Sequence, residues 1–278
     1  MRKIRTCVSA MLNTGKSKCT IDFGKIRGAL IVPAGTKLPA DLTAEKLEEL
    51  CHASRSGRVN AIVGFVEYAK DGGEPQANAN GYGGMKVTDV SARTDTFTMD
   101  EFDVALNASL SKCMNQPYDV YFFDDKRLLY GINDGTDTLA GFPMSTIYPT
   151  AVPHPTSSAQ ASLTVSFSYE DARAAFEKLD FIQLDFDVRR AAIGLTPVVL
   201  EKTVDNKYKL VEAVGGYDLT EIYGPVLAEN ATLVDGATAV TYDDTSKVMT
   251  LTTSAGATPR LKPAADLFEK GIKGIEQL

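Results

Sequence analysis

Tryptophan is absent from the 278 residues, histidine occurs twice and cysteine four times. With only His52 and His154 present, little material exists for imidazole-ligated metals or histidine acid–base chemistry. Cys7, Cys19, Cys51 and Cys113 stand far apart with no C-x-x-C. That spacing argues against zinc and disulfide frameworks and favours reduced thiols. No apolar run approaches the roughly 18 residues of a membrane span. The opening MRKIRTCVSAMLNTGKSKC is basic, but Asn13, Lys16 and Lys18 interrupt it early. The apolar core of a secretory signal is therefore too short, and no signal is expected. Neither G-x-S-x-G nor H-E-x-x-H occurs, so the local signatures of a serine hydrolase or a zincin are missing.

What is present suits a soluble globular chain: 44% hydrophobic, 23% charged, long enough for one large domain or a medium one plus a small one. The net charge of −7 conceals an asymmetry. Residues 1–28 hold Arg2, Lys3, Arg5, Lys16, Lys18, Lys25 and Arg27 against Asp22, a balance of +6, which leaves −13 on residues 29–278. An acidic body repels phosphate and disfavours nonspecific adhesion to nucleic acid. The basic arm can serve either nucleic acid or the acidic body of a neighbouring copy, and the second use is the expected one.

Alternation and turn signals dominate the middle of the chain. KCTIDFGKIRGALIVPAGTKLP reads as two strands with a turn, LTAEKLEELCHASR as a short helix and RVNAIVGFVEYA as a strand. KDGGEPQANANGYGG reads as a long polar, glycine-rich loop of the kind that carries an interface. Alternation returns over 85–98. Thr98 and Glu101 then form a capping-box pattern, and Phe102, Ala105, Leu106, Leu110 and Cys113 recur at helical spacing. These predict the main helix over 99–114. GFPMSTIYPTAVPHPTSS, with its four prolines, predicts an extended crossing segment. ASLTVSFSY and DFIQLDFDV are alternating strands on either side of a short helix, EDARAAFEKL. VEAVGGYDLTEIYGP has linker character and places a boundary near residue 214. Beyond it, short strands surround an Asp-Asp-Thr-Ser-Lys hairpin, and AADLFEKGIKGIEQL reads as a helical turn and tail.

The densest group of possible ligands lies in DVYFFDDKRLLYGINDGTDT, residues 119–138. Asp124 and Asp125 sit between two β-prone runs, and Asn133, Asp134 and Asp137 surround a glycine. A calcium loop would alternate oxygen ligands and close on a glutamate; no glutamate closes this one, so hairpin turns with solvated carboxylates are expected. Gly15-Lys16-Ser17 copies the tail of a P-loop, but Ala10 stands where its first glycine belongs. Gly81, Gly83 and Gly84 open a strand rather than a helix, which is unsuited to cradling phosphate. Tyr82, Tyr118, Tyr148 and Tyr217 flank loops and could anchor an interface. No catalytic, cofactor-binding or metal-binding residue is assigned.

Several stretches together resemble structural proteins of tailed bacteriophages: CTIDFGKIRGALIVPAGTKLP, DVYFFDDKRLLYG, FSYEDARAAFEKLDFIQLDFDV and GGYDLTEIYGPVLA with AVTYDDTSKVMTLTT. Within that class the chain is most similar to a tail tube protein. The resemblance implies a mainly β, α+β chain. A basic arm (1–17) precedes a β-sandwich or barrel-like assembly domain with one main helix (18–213), and a small Ig-like β-sandwich with a C-terminal tail follows (214–278). It implies a late virion protein, made in the host bacterial cytoplasm, that is not an enzyme and needs no cofactor. Such a subunit self-assembles into stacked homo-oligomeric rings that conduct DNA, contacting other virion proteins and no membrane. The arm and the loop 69–84 are then candidate contacts between rings, and Ser91, Arg93 and Asp95, opposite Phe97 and Met99, a candidate lumen wall. Two alternatives remain open: a capsid, neck or tail decoration or completion protein, and a virion-associated hydrolase acting through carboxylates.

Overall fold

The computed structural model describes residues 23–39, 41–133, 135, 138–151, 154–156, 160–254 and 256–277. The basic arm, Gly15-Lys16-Ser17, Cys7, Cys19, Asp134 and Asp137 lie outside the described residues. Strands hold 46% and helices 19% of the chain, so the mainly β, α+β class is the one adopted. The chain divides into two compact units: residues up to Lys46 with Asn60–Ala191, and Leu47–Val59 with the chain from Ala192 onward. Among the described residues no helix is long and apolar enough to cross a membrane.

The first unit contains β1 (Ile26–Pro33), β2 (Lys37–Pro39), the start of α1 (Ala44–His52), β3 (Asn60–Val63), β4 (Phe65–Gly72), β5 (Pro75–Asn80), β6 (Gly84–Val90) and β7 (Arg93–Met99). After α2 (Val104–Ser111) come β8 (Tyr118–Asp124), β9 (Leu128–Asn133), β10 (Thr138–Ala140), β11 (Phe142–Pro149), β12 (Thr164–Tyr169), α3 (Ala172–Glu177), β13 (Leu179–Gln183) and α4 (Val188–Ala191). All pairings in this unit are antiparallel, and six segments form a closed circuit. β1 pairs with β8, β8 with β11, β11 with β12, β12 with β7 and β7 with β4. β3, one residue before β4, returns to β1. The strand that closes the circuit bends at Gly64, whose φ of +94° suits glycine and whose N–H donates to Arg27 O at 3.0 Å. β9, β13, β10 and β2 extend from β8.

Period-two alternation decides what fills the circuit. Val165, Phe167 and Tyr169 of β12 and Phe97 of β7 belong to one buried cluster with Phe65, Phe122, Phe142 and Ile147. Phe97 stacks on Phe65 at 4.6 Å between centroids and meets Phe122 and Phe167 at 5.3 and 5.9 Å.

Three local expectations change here. The segment 69–84 is no loop: β4–β5 and β6–β7 form the two sides of one long hairpin. The main helix starts at Val104, capped by Asp103, whose carboxylate accepts from Ala105 N at 2.8 Å and Leu106 N at 3.0 Å. Thr98, the expected cap, is held in the sheet opposite Thr164. Finally, Phe142–Pro149 is a strand despite Pro143 and Pro149. The Pro143 carbonyl still accepts from Glu170 N, and Pro149 ends the strand, where a missing donor costs least.

In the second unit, β14 (Thr196–Lys202), β15 (Lys207–Glu212), α5 (Thr220–Glu229), β16 (Val234–Asp235), β17 (Ala237–Asp243), β18 (Val248–Thr253), β19 (Arg260–Leu261), α6 (Ala264–Glu269) and β20 (Ile275–Gln277) follow in order. The main sheet runs β17-β18-β15-β14-β20, with β20 parallel to β14. The expected boundary near 214 therefore falls inside this unit, because β14 and β15 are internal strands of its sheet. The expected linker holds α5, which packs on β15, β17 and β18. Gly224 lets that helix approach closely, since a Cβ there would lie 2.6 Å from the Tyr242 ring. A helix plus the two-stranded β16–β19 ribbon thus replaces the second sheet expected of an Ig-like sandwich.

The earlier segment 47–59 is tied into this unit by polar contacts. His52 is buried and held by Glu48 O and Gly274 N, and Arg58 donates to both Glu276 oxygens at 2.7 and 2.9 Å. The Arg58 bonds hold the Glu276 carboxyl below its ordinary range. The stabilisation from this pair is thus present above about pH 4.3, the unfolded value, and is lost as pH falls through the lower folded value. Urea unfolding from about pH 2 to 6 should give a steeper acid-side loss in the parent than in Arg58→Ala; equal slopes would refute the linkage.

Candidate functional site

The described carboxylates of 119–138 bind backbone N–H groups, and Asp124 is buried where a solvated turn was expected. Asp124 is buried at the β8–β9 turn, and its Oδ1 accepts from Lys126 N (2.9 Å) and Leu128 N (2.8 Å). Its Oδ2 accepts from Gly24 N (2.8 Å) and Tyr130 Oη (2.5 Å). Burial and the Asp124 bond push the Tyr130 phenol up, so it stays a donor. Four donors fill the lone pairs of one carboxylate, leaving none for a cation. Asp125 accepts from Lys25 N at 3.0 Å, and Asn133 closes its own turn on Gly135 N at 2.8 Å. Among the described residues no group of three or more His, Cys, Asp or Glu is placed to hold a metal.

Geometry of a different kind marks the β4–β7 hairpin. Its distal ribbon, β5–β6, pairs with no other strand among the described residues. Register puts Ala77 opposite Val87 and Ala79 opposite Met85 on one face, with Asn78 opposite Lys86 on the other. The apolar face lies in solvent: Met85 is 72% and Val87 60% exposed, and Tyr82 at the tip is fully exposed. A lone two-stranded ribbon is marginal in water, and an amphipathic one with a bare apolar face calls for a partner surface.

The base of the hairpin is rigid by contrast. Asp95, 2% exposed, accepts from Arg93 Nε (3.0 Å) and Nη2 (2.7 Å), Tyr68 Oη (3.1 Å) and Tyr169 Oη (2.7 Å). The Arg93 guanidinium lies 4.7 Å over the Tyr169 ring. Burial and then the Asp95 charge push the Tyr169 phenol up, so it remains a donor. Between base and ribbon, Gly72 and Gly73 adopt φ of +70° and +75°. A Cβ on Gly72 would fall 1.8 Å from Ala92 O. Lys70 pairs with Glu74 across this kink, and Glu74 N donates to Ser91 Oγ at 3.0 Å.

The second feature is the outer face of β4-β7-β12-β11. Thr94 bonds Ser168 and Thr96 bonds Ser166, each at 3.0 Å, and Thr98 approaches Thr164 at 3.5 Å. Register adds Glu67, Ala69 and Asp71 from β4 and Thr146 and Tyr148 from β11. Among these positions the charged ones are both acids. The wall expected at Ser91, Arg93 and Asp95 is thus on the wrong face, because Asp95 and Phe97 share the inward phase of β7. Neither outer strand has a further strand partner here: among the described residues no strand pairs with the far side of β4 from Val66 to Gly72, or with β11 beyond Met144 on its β8 side, where α2 packs nearby and Asn115 N donates to Thr146 Oγ1 at 3.2 Å.

Of the loop-flanking tyrosines, Tyr82 heads the arm, Tyr148 joins the hydroxyl face and Tyr217 is exposed in the second unit. Tyr118 packs beside the core. His154 is exposed and His52 is structural. The arm's apolar stripe was readable as Ala77, Ala79, Met85 and Val87 at period two around NGYGG; the outer edges of β4 and β11 had no local signal.

Asp95→Ala strands a half-buried guanidinium and should cost about 3–5 kcal/mol, whereas Tyr82→Ser and Val87→Thr at the tip should stay within about 0.5 kcal/mol of the parent. Urea unfolding of the three variants checks the contrast. No protein-family model matches the sequence, and no curated protein does either.

Proposed function

We propose that the protein is a non-enzymatic, self-assembling structural subunit, and that its assembly is a tail tube of a tailed bacteriophage. The observation that carries this reading is the four-stranded sheet β4-β7-β12-β11, whose two outer strands have no further strand partner on their far sides among the described residues. Since β4, β7, β12 and β11 alternate in direction, β4 and β11 run opposite ways. Copies related by rotation about an axis along the strands therefore present β11 of one beside β4 of the next in antiparallel orientation, without inverting either copy. An odd strand count would forbid this. Such a heterologous contact closes into a ring when its rotation divides a full turn.

The hydroxyl-lined face then becomes a continuous wall. Its neutral and acidic side chains offer phosphate no counter-charge, so DNA could pass without adhering. The hairpin arm supplies contacts along the axis: Tyr82, Met85 and Val87 would each contribute about 1.5–3 kcal/mol on full burial. The basic residues 1–17, facing the acidic body of a neighbour, would add a second, salt-sensitive contact.

Negative-stain electron microscopy of the concentrated protein should show rings or hollow tubes of constant diameter. Substituting Tyr82, Met85 and Val87 together with serine should leave single rings while shortening or abolishing stacks, and deleting residues 1–17 should shorten stacks. Dispersed particles in the parent would instead favour a decoration or completion protein that needs a preformed surface. Stacks of unchanged length in the triple variant would remove the arm from the mechanism.

A further inference from the structure

Asn80 precedes Gly81 at the tip of the arm, and this is the one Asn-Gly pair in the sequence. Such a pair is reactive because the glycine nitrogen, free of a side chain beside it, can attack the preceding amide. The Gly81 nitrogen forms a bond to Asn80 Cγ, ammonia leaves, and a five-membered succinimide results. One water then opens either carbonyl, giving aspartate or isoaspartate. The chain and solvent supply every atom, and no oxidant or cofactor takes part.

The fold leaves the Gly81 backbone open and packs two of the three Asp-Gly pairs. Gly81 is exposed with φ of +33°, and nothing lies within 4 Å of the position its Cβ would take. Asp71–Gly72, Asp134–Gly135 and Asp235–Gly236 could form the same ring more slowly. Gly72 and Gly236 are packed, their Cβ positions 1.8 Å from Ala92 O and 3.1 Å from Thr258 O, whereas Gly135 is as open as Gly81 and differs by the slower chemistry of aspartate. In the same ribbon Asn78 precedes Ala79, and its side-chain amide is tied to Thr88 Oγ1 at 3.1 Å. We infer that Asn80 is a self-modification site, converting to aspartate and isoaspartate in the unassembled chain.

The product changes the charge of the arm next to its tip. Residues 75–90 carry only Lys86 and Asp89 as charges, so a carboxylate at 80 turns a neutral ribbon acidic. Isoaspartate also inserts a backbone methylene beside the closing pair Asn80–Gly84. Ageing of free subunits would then disable their arms. This consequence rests on the assembly reading; the chemistry does not.

The test incubates the full chain for days at mildly alkaline pH and physiological temperature. Peptide mass mapping and an enzymatic isoaspartate methyl-acceptor assay follow conversion. Expected is conversion at Asn80 severalfold faster than at Asn78, with no methyl acceptance gained at position 80 in Asn80→Gln. Asn80 remaining an amide, while a synthetic peptide of residues 75–90 converts under the same conditions, would overturn the site. For the consequence, Asn80→Asp and the aged chain should give shorter stacks than fresh parent; equal lengths would overturn it. A fresh parent that never assembles, yet converts at Asn80, would leave the site standing and remove the assembly reading.

Discussion

A circuit of antiparallel strands closes only if its last strand reaches back to its first, and here one strand has to serve two neighbours. Residues 60–63 pair with β1 and residues 65–72 with β7. Between them a single residue, Gly64, takes a left-handed conformation at φ +94°. Its nearest would-be contact, Met99 Cε at 3.8 Å, is ordinary van der Waals distance, so the constraint is conformational rather than steric. An L side chain there would be strained by about 1–2 kcal/mol. The strain would fall on the bond to Arg27 O that closes the ring.

Closure has two consequences. It sequesters Phe65, Phe97, Phe122 and Phe167 on the inside, so the outer surface of the same strands is free to be polar. It also lets the β4–β7 hairpin run on past the circuit, where its distal ribbon β5–β6 pairs with no other strand among the described residues and meets only α3 near its base. The Asp95 cluster marks the transition. Below it the strands are held by aromatic packing; above it, by their own ladder and by the glycine kink at 72–73. A buried ion pair at that place gains little stability over an apolar core. Its directional bonds, however, fix Arg93, Tyr68 and Tyr169 relative to one another, and so fix the direction from which the hairpin departs.

Much of this was legible in the chain. ASLTVSFSY and ARTDTFTM alternate so cleanly that both faces of β12 and β7 can be assigned from period two alone, apart from one phase error. That error arose because Arg93 and Asp95 look like surface residues. They face the core side because they neutralise one another, a pairing that spacing does not reveal. YFFDDKRLLY was readable as a hairpin, though not as a clasp for Gly24, a contact across a hundred positions. The Ig-like reading failed at GGYDLTEIYGP. Its glycines and Pro225 suggest a linker, yet Thr220 through Glu229 is helical because Tyr223, Val226 and Leu227 pack against the sheet. Tertiary burial there outweighs local propensity.

Charge distribution bears on how an acidic chain could meet copies of itself. At a net −7, approach is opposed by the field of the whole molecule, so contact surfaces must either be neutral or carry the opposite sign. The strand β11 and the ribbon satisfy the first condition, while β4, with Glu67, Lys70 and Asp71, departs from it by one negative charge. The strand β11 has no charged residue, and the ribbon 75–90 balances Lys86 against Asp89. Backbone pairing along an edge needs no side-chain charge at all. Glu67 and Asp71 on β4 would meet only Thr146, Tyr148 and their neighbours across such an edge, leaving no like charges opposed. The basic residues before position 28 satisfy the second condition. On the proposed assembly, repulsion would fall mainly on surfaces outside β11 and the ribbon, and the acidity of the body would not oppose contacts made through them.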